Sequence, residues 1–299
     1  MPLPNFLIIG VAKAGTTSLY YHLRQHPQIY LSPIKEPEFL AFGEMPFNFK
    51  GPGLDGWRRV SVATLADYQT LFDDARDEIA LGEASVNSRL PRACERIQTY
   101  LPDAKLIIIL RQPTDRAYSN FLHMRRLDLE PLDFMEALQA EEERRRQGWL
   151  PWFWYGQRGY YHTDLKKFLD RFPREQIRVY LHDDWQRQPL TIIQDIFRFL
   201  GVDDQLVPDI SVRYNTGQLP RSQRLLHFLK HPDHPLKNRL KPLVPPPVRR
   251  HVARFLRKAN LTTPPPLDPQ LRRQLTERYR DDIRRLETLI ERDLSAWLA

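Results

Sequence analysis

Near its N-terminus the chain places glycine, lysine and threonine in the pattern of a phosphate-binding loop. The apolar run Phe6–Ile9 ends at Gly10, and Lys13, Gly15 and Thr16 follow in the stretch "FLIIGVAKAGTTSLYYHL". Glycine lets the backbone approach an anion closely, and successive amides at the start of a helix point at that anion. The stretch therefore predicts a strand, a tight turn and a helix that together hold a phosphate-type group.

The position of the lysine differs from that in ATP and GTP sites. In those loops a lysine directly follows the second glycine. Here Thr16 takes that position, and Lys13 lies inside the turn. The loop thus fits an anion but lacks the chief cation of an ordinary nucleoside triphosphate site.

A second cation follows another apolar run. The run "KLIIIL" leads into Arg111, where magnesium-dependent phosphoryl transfer usually requires an aspartate. Ser119 should lie about two turns into the following helix, which Pro113 and Asp115 are expected to start. Arg111 and Ser119 can then hold one phosphate by charge and by a hydroxyl. With no magnesium ligand evident, a nucleotide with a 5′ phosphate-type group and a separate 3′-phosphate suits this layout.

Strand-length apolar runs alternate with amphipathic stretches along the chain, which indicates how these groups are positioned. Continuous apolar strands between helices are typical of a parallel sheet covered on both faces. We therefore expect a three-layer α/β/α fold with its ligand at the carboxyl ends of the strands. A short strand is expected at Gln28–Leu31, and no internal repeat is present.

Three segments stand apart from this alternation. Residues 43–60 hold four glycines and two prolines and are predicted to be a loop or lid. Residues 147–158 form an aromatic loop with three tryptophans, which would either stack on a ligand ring or pack locally. Prolines divide residues 220–299, and a last helix over Pro269–Leu298 should pack back on the body. We expect one domain over residues 1–299.

The composition of the chain excludes several classes of protein. Cys94 is the only cysteine, so internal disulfides and cysteine-based metal clusters are excluded, and no metal site is expected. No run is long and apolar enough to span a bilayer, and the N-terminus lacks a secretion signal, which favours a cytoplasmic protein. The net charge is +8, and Arg221–Lys258 holds eleven basic residues and one acid. That stretch is either a surface for an anionic substrate or a solvated face.

At this point the sequence resembles the sulfotransferases that use 3′-phosphoadenosine 5′-phosphosulfate (PAPS), and in particular the branch of heparan-sulfate and bacterial enzymes. "GVAKAGTTSLYYHLRQHPQIYL" resembles the 5′-phosphosulfate loop of the family. "SPIKEPEFLAF" is similar to the segment of the catalytic carboxylate, and "LIIILRQPTDRAYSNFLH" to the 3′-phosphate motif. A looser likeness covers most of the chain.

The resemblance implies a role for each matching residue. Lys13 would stabilise the leaving phosphate, and Glu36 would be the catalytic base. Arg111 and Ser119 would bind the 3′-phosphate, and Arg221 and Ser222 would close over it, unless their loop only caps a helix. The residues implied to hold the 5′ group are Lys13, Ala14, Gly15, Thr16, Thr17 and Ser18. PAPS would be the co-substrate and 3′-phosphoadenosine 5′-phosphate (PAP) the product, with no metal.

At some positions the residue differs from that in the family, and at others the role of the residue is left open. Glu38 stands where some relatives carry a histidine, and it would share the work of Glu36 or order Lys35. Ala84 stands where relatives carry a lysine after a "GE" dipeptide. His123 would contact the donor or acceptor, serve as the base in place of Glu36, or lie idle on a helix surface.

Two other functions remain open from the residues alone. One is a P-loop-type kinase or nucleotide triphosphatase, against which the lysine position and Arg111 count. The other is a non-catalytic polyanion binder using Arg221–Lys258, although no recognised nucleic-acid motif is present and no nucleic-acid partner is expected. For a sulfotransferase, the acceptor would be a saccharide or a small metabolite, and the oligomeric state is left open.

Overall fold

A five-stranded parallel sheet forms the centre of the computed structural model, which describes residues 2–44, 48–212, 219–222, 225–226, 252, 255–256 and 259–299. Its strands lie in the order β2-β3-β1-β4-β5. Their bounds are β1 Phe6–Gly10, β2 Ile29–Leu31, β3 Ala80–Ala84, β4 Lys105–Leu110 and β5 Ile177–Leu181. The short strand expected near residue 30 is therefore present as β2.

Helices connect and flank the strands. The first six are α1 Thr16–Leu23, α2 Phe39–Phe42, α3 Leu54–Val60, α4 Leu65–Thr70, α5 Pro91–Tyr100 and α6 Pro113–Arg126. The others with described bounds are α7 Phe134–Gln139, α8 Glu141–Arg146, α9 His162–Leu169, α10 His182–Arg187, α11 Pro189–Leu200 and α12 Pro269–Ile290. Helix α1 packs against α11, and α9 contacts both α5 and α12. The three-layer α/β/α prediction is confirmed.

The two central strands, β1 and β4, bring together the two chain segments that carry predicted site residues. Every residue of β1 is buried, as are five of the six in β4, because helices cover both faces of a parallel sheet. β1 and β4 pair directly, with Leu7 opposite Leu106, and the Val11 amide donates to the Ile109 carbonyl at 2.6 Å. The segments that leave these strands at Gly10 and Leu110 therefore start side by side.

Two predicted segments need correction. The loop or lid expected over residues 43–60 contains α3, whose Trp57 is buried. Gly53 precedes that helix in the left-handed conformation, so one of the glycines that suggested a loop is a helix boundary. The last helix ends at Ile290 rather than Leu298, and Ser295–Leu298 forms a separate 3₁₀ turn.

The C-terminal portion joins the body as expected, but it is not only helical. α12 contacts α6 and α9, and it buries Leu275, Tyr279 and Ile283. Two short strands, β6 Leu219–Pro220 and β7 Leu261–Thr262, pair antiparallel. Most of the basic stretch 221–258 lies outside the described residues.

Candidate active site

A cavity of about 730 Å³ opens at the carboxyl ends of β1 and β4. It brings together residues from motifs that are far apart in the sequence. The predicted site residues on its wall are Lys13, Gly15, Thr16, Thr17, Ser18, Glu36, Arg111, Ser119 and His123. The anion loop, the carboxylate segment and the Arg–Ser pair thus face one space.

The loop after β1 is shaped by one glycine. Gly15 has a φ of 98°, and a Cβ added there would lie 2.9 Å from Nε1 of Trp185. The backbone conformation and the tryptophan both exclude a side chain, so the loop passes close beneath the indole. Thr16 begins α1 directly after it, which places the helix N-terminus at the cavity. Ala14 is fully buried behind the loop and lies outside the cavity wall.

Arg111 is fixed to this loop by direct contact. Its Nη1 donates a hydrogen bond to the carbonyl of Lys13 at 2.8 Å, while its own carbonyl accepts one from the Tyr161 hydroxyl at 2.8 Å. Because β1 and β4 are neighbours, the two predicted anion-binding groups are held at a fixed separation. The arrangement suits a ligand with two anionic groups.

The cationic groups of the cavity are under electrostatic strain. Burial, together with the charges of Arg126 and Arg111, lowers the pKa of Lys13 to about 8, and burial lowers the pKa of Arg111. Burying like charges next to one another is unfavourable unless an anion neutralises them. The site is therefore built to receive a strongly anionic ligand.

Glu36 is held in an unusual backbone conformation. Its φ is 62°, in the left-handed region that disfavours residues other than glycine, and its amide donates to the Ala84 carbonyl at 3.0 Å. Such local strain is frequent at functional sites. One carboxylate oxygen accepts a hydrogen bond from Lys35 Nζ at 2.6 Å. Lys35 itself lies outside the cavity wall.

Glu38 lies behind the cavity rather than in it. It is 1% exposed and accepts from Asn87 Nδ2 at 2.9 Å, and the side-chain oxygen of Asn87 accepts from Arg158. Burial, and then the nearby charge of Glu36, raises the pKa of Glu38 to about 8. The structure therefore gives Glu38 a buried supporting place and does not bring it to the substrate space.

His123 lies on the cavity wall rather than on an open helix surface. Burial, followed by the charges of Lys13 and Arg126, lowers its pKa to about 3. The imidazole is consequently neutral at physiological pH. A neutral ring can donate or accept a hydrogen bond at its accessible nitrogen.

Arg221 and Ser222 do not reach the cavity wall. The Arg221 amide donates to the Asn260 carbonyl at 2.7 Å, and the Ser222 amide donates to Asn260 Oδ1 at 2.9 Å. Ser222 Oγ accepts from the amide of Leu225 at 3.2 Å. These contacts match the capping alternative, and the role at the 3′-phosphate stays a prediction.

Several cavity residues were missed from the sequence. Arg116 and Asn120 lie on the same face of α6 as Ser119 and His123, with spacings of three, four and seven residues. That helical spacing was a usable signal. No such signal marked Arg158, because it lies in a 3₁₀ turn that is distant in sequence from α6. The other missed polar or aromatic wall residues include His22, His182, Trp185 and Gln186.

The aromatic loop serves packing and also reaches the cavity. Phe153 and Tyr155 are fully buried, and Trp149 packs edge-on against Phe153. Trp152 lies on the cavity wall. The packing interpretation therefore applies to Trp149, Phe153 and Tyr155, and stacking of Trp152 on a ligand ring stays a prediction.

Within the described residues, no group of three or more histidine, cysteine, aspartate and glutamate side chains is placed to hold a metal ion. Among the same residues, no helix combines the length and apolar character required to cross a bilayer.

Comparison with known proteins assigns this architecture to a family. The family model described as "Sulfotransferase domain" matches residues 3–240. A crystal structure of a sulfotransferase from Alicyclobacillus acidocaldarius superposes with a TM-score of 0.79 and 36% identity, covering 100% of both chains.

The chain matches only part of the length of each curated relative. Human bifunctional heparan sulfate N-deacetylase/N-sulfotransferase 3 is 31% identical over 215 residues, which cover 67% of this chain and 22% of the relative. Mouse carbohydrate sulfotransferase 15 is 27% identical over 254 residues, covering 67% and 44% respectively. The chain therefore spans less than half the length of these two relatives.

Proposed function

The chain belongs to the sulfotransferase domain family, and we propose that it transfers a sulfuryl group from PAPS to a hydroxyl or amine of a saccharide or small-molecule acceptor. One observation carries the proposal. Arg111 and Ser119 share a cavity with the anion loop at Lys13–Ser18. Two anion-binding groups joined in this way match a donor with a 5′-phosphosulfate and a 3′-phosphate.

The residues present fit such a donor. Lys13 and the N-terminus of α1 would hold the 5′ group, since both face the cavity and the glycine turn admits close approach. Arg111 and Ser119 would hold the 3′-phosphate through a charged donor and a hydroxyl. Neutralisation of Lys13 and Arg111 by the ligand relieves the unfavourable burial of both cations.

For sulfuryl transfer, the chain supplies a base and a residue that stabilises the developing charge. As the acceptor oxygen forms its bond to sulfur, Glu36 takes the proton of the acceptor hydroxyl. The bond between sulfur and the bridging oxygen breaks, and its electron pair stays on the phosphate of PAP. Lys13 stabilises that developing charge. Lys35 holds the Glu36 carboxylate by its 2.6 Å contact and keeps it oriented.

Binding of PAP tests the donor site directly. We would measure PAP and ADP by calorimetry in the absence of magnesium, with the wild type and with Arg111→Ala. Micromolar PAP binding that needs both the 3′-phosphate and Arg111 supports the proposal. Equal or tighter ADP binding that requires magnesium would favour a nucleotide kinase or triphosphatase and would overturn it.

A further inference from the structure

The indole of Trp185 lies directly against the anion loop. A Cβ added at Gly15 would lie 2.9 Å from Nε1 of Trp185, 3.0 Å from Cδ1 and 3.8 Å from Cε2. These three ring atoms are the nitrogen and the two carbons bonded to it. The nitrogen edge of the indole, rather than its six-membered ring, is therefore the part that lies at the turn.

The indole nitrogen has no hydrogen-bond partner within the described part of the chain. Trp185 is only 6% exposed, and a buried indole N–H usually has a partner because an unpaired buried donor is unfavourable. The Nε1 atom of Trp154 is closed off from solvent, whereas that of Trp185 stays open to the cavity. The Trp185 N–H can therefore donate to a molecule that enters the cavity.

The turn beside the indole presents further donors. Helix α1 begins at Thr16 and is eight residues long, and no side chain caps its first amides. Its first turn also contains no acidic residue. An anion at this N-terminus would accept hydrogen bonds from the backbone amides. Because the indole nitrogen lies at Gly15, the same anion would come within its reach.

Helix α10 holds the indole in place before any ligand arrives. It begins directly after β5. Arg292 Nη2 donates to Asp184 Oδ2 at 2.7 Å, and the Gln188 amide donates to the Asp184 carbonyl at 2.8 Å. The ring of His22, on α1, lies 6.1 Å from that of Trp185 between centroids. A donor that is fixed in advance loses little conformational freedom when a ligand binds.

We propose that the Trp185 indole N–H donates a hydrogen bond to the 5′-phosphate of the donor nucleotide, which makes Trp185 a further binding residue of the anion loop. The inference rests on the proposed function. Packing against Gly15 alone would require only an apolar side chain, such as leucine or phenylalanine. The indole adds one hydrogen bond to a charged oxygen, which is stronger than a bond between neutral groups.

Removing the N–H and removing the 5′-phosphate, separately and together, test the inference. PAP and adenosine 3′-monophosphate, which lacks the 5′-phosphate, would be titrated by calorimetry into the wild type and Trp185→Phe. We expect Trp185→Phe to weaken PAP binding at least about tenfold and to leave the affinity for adenosine 3′-monophosphate within about twofold. An equal loss for both ligands overturns the inference, because the indole would then act on the nucleoside or on the shape of the cavity.

A closer isostere separates the N–H from the shape of the ring. β-(3-Benzothienyl)alanine at position 185 replaces the N–H by sulfur and keeps the bicyclic ring, so the packing against Gly15 is retained. This protein should lose PAP affinity as Trp185→Phe does. Trp154→Phe is the matched control and should bind PAP as the wild type does, because Trp154 lies outside the cavity wall with its ring under Arg145. Wild-type PAP affinity in the benzothienyl protein overturns the inference.

Titration of PAP into the wild type separates the two possible failures. If PAP does not bind the wild type, the proposed function falls, and the inference falls with it. If PAP binds the wild type, Trp185→Phe and the benzothienyl protein equally well, only the inference falls. A loss that is confined to PAP and to the two proteins without the N–H supports the inference.

Discussion

The Arg111 guanidinium donates a hydrogen bond of 2.8 Å to the carbonyl of Lys13. This contact joins the end of β4 to the turn that follows β1, so the two anion-binding groups cannot move apart independently. Each half of the site is local in sequence, but their coupling depends on β1 and β4 being adjacent in the sheet. A ligand with two anionic groups would thereby be recognised by the distance between them as well as by charge.

Donor affinity should weaken in alkaline solution because of Lys13. Its pKa of about 8 in the free protein means that the ammonium is lost as pH rises above that value, while an anion binds only the charged form well. We expect PAP to bind roughly thirtyfold more weakly at pH 9.5 than at pH 7. Calorimetry across this range measures the effect.

Lys13→Arg is the control for that dependence. Arginine stays charged throughout the range, so the variant should show a nearly flat profile whatever its absolute affinity. The same alkaline loss in Lys13→Arg would show that another group titrates.

Gly15 should tolerate no side chain. Alanine there would adopt an unfavourable φ of 98° and would place its Cβ 2.9 Å from Trp185 Nε1. We expect Gly15→Ala to weaken PAP binding at least about tenfold through distortion of the loop. Gly56→Ala is the matched control, since nothing lies within 4 Å of an added Cβ at that position. Equal PAP affinities in the two variants would contradict this account of the turn.

Glu36 should be needed for turnover and not for donor binding. Replacing the carboxylate in Glu36→Gln removes the proton acceptor, so kcat should fall by at least about a hundredfold while PAP affinity stays largely intact. Glu142→Gln, an exposed carboxylate on α8, should behave as the wild type. Steady-state kinetics and calorimetry check both. Full turnover in Glu36→Gln would move the base to His123, whose neutral ring also faces the cavity.

Local motifs explain why much of the site was predictable. Lys13, Gly15 and Ser119 each lie in a short segment whose strand, turn and helix form from neighbouring residues, and the structure brings them to one cavity. The sheet was predictable for the same reason, since β1 and β4 are continuous apolar runs.

What was missed depends on tertiary packing. Arg158 reaches the cavity because its 3₁₀ turn folds onto residues 86–87, where it donates to Asn87 and to the Val86 carbonyl. Trp185 reaches Gly15 only through the packing of the helix that follows β5. Neither contact leaves a pattern in the surrounding sequence. The sequence left the place of Glu38 open for a similar reason, because its burial against Asn87 depends on a residue far along the chain.

Glu83 should make the protein less stable as pH rises. The residue is 1% exposed at the end of β3, and burial raises its pKa to about 8 from an ordinary value of 4.5. Between these values the folded state keeps a proton that the unfolded chain has released. Stability from this group is therefore fully present below about pH 4.5 and is lost as pH rises through about 8.

Glu83→Gln isolates that contribution, because glutamine is nearly isosteric and carries no titratable proton. We expect the variant to have a Tm at pH 8 at least about 3 °C above that of the wild type, and the difference should shrink towards pH 5. Glu142→Gln again serves as the exposed control and should follow the wild type at each pH. Thermal unfolding curves of the three proteins between pH 5 and pH 8 make the comparison. Parallel Tm profiles for the wild type and Glu83→Gln would show that the buried carboxyl is ionised in the folded state at neutral pH, contrary to the effect of its burial.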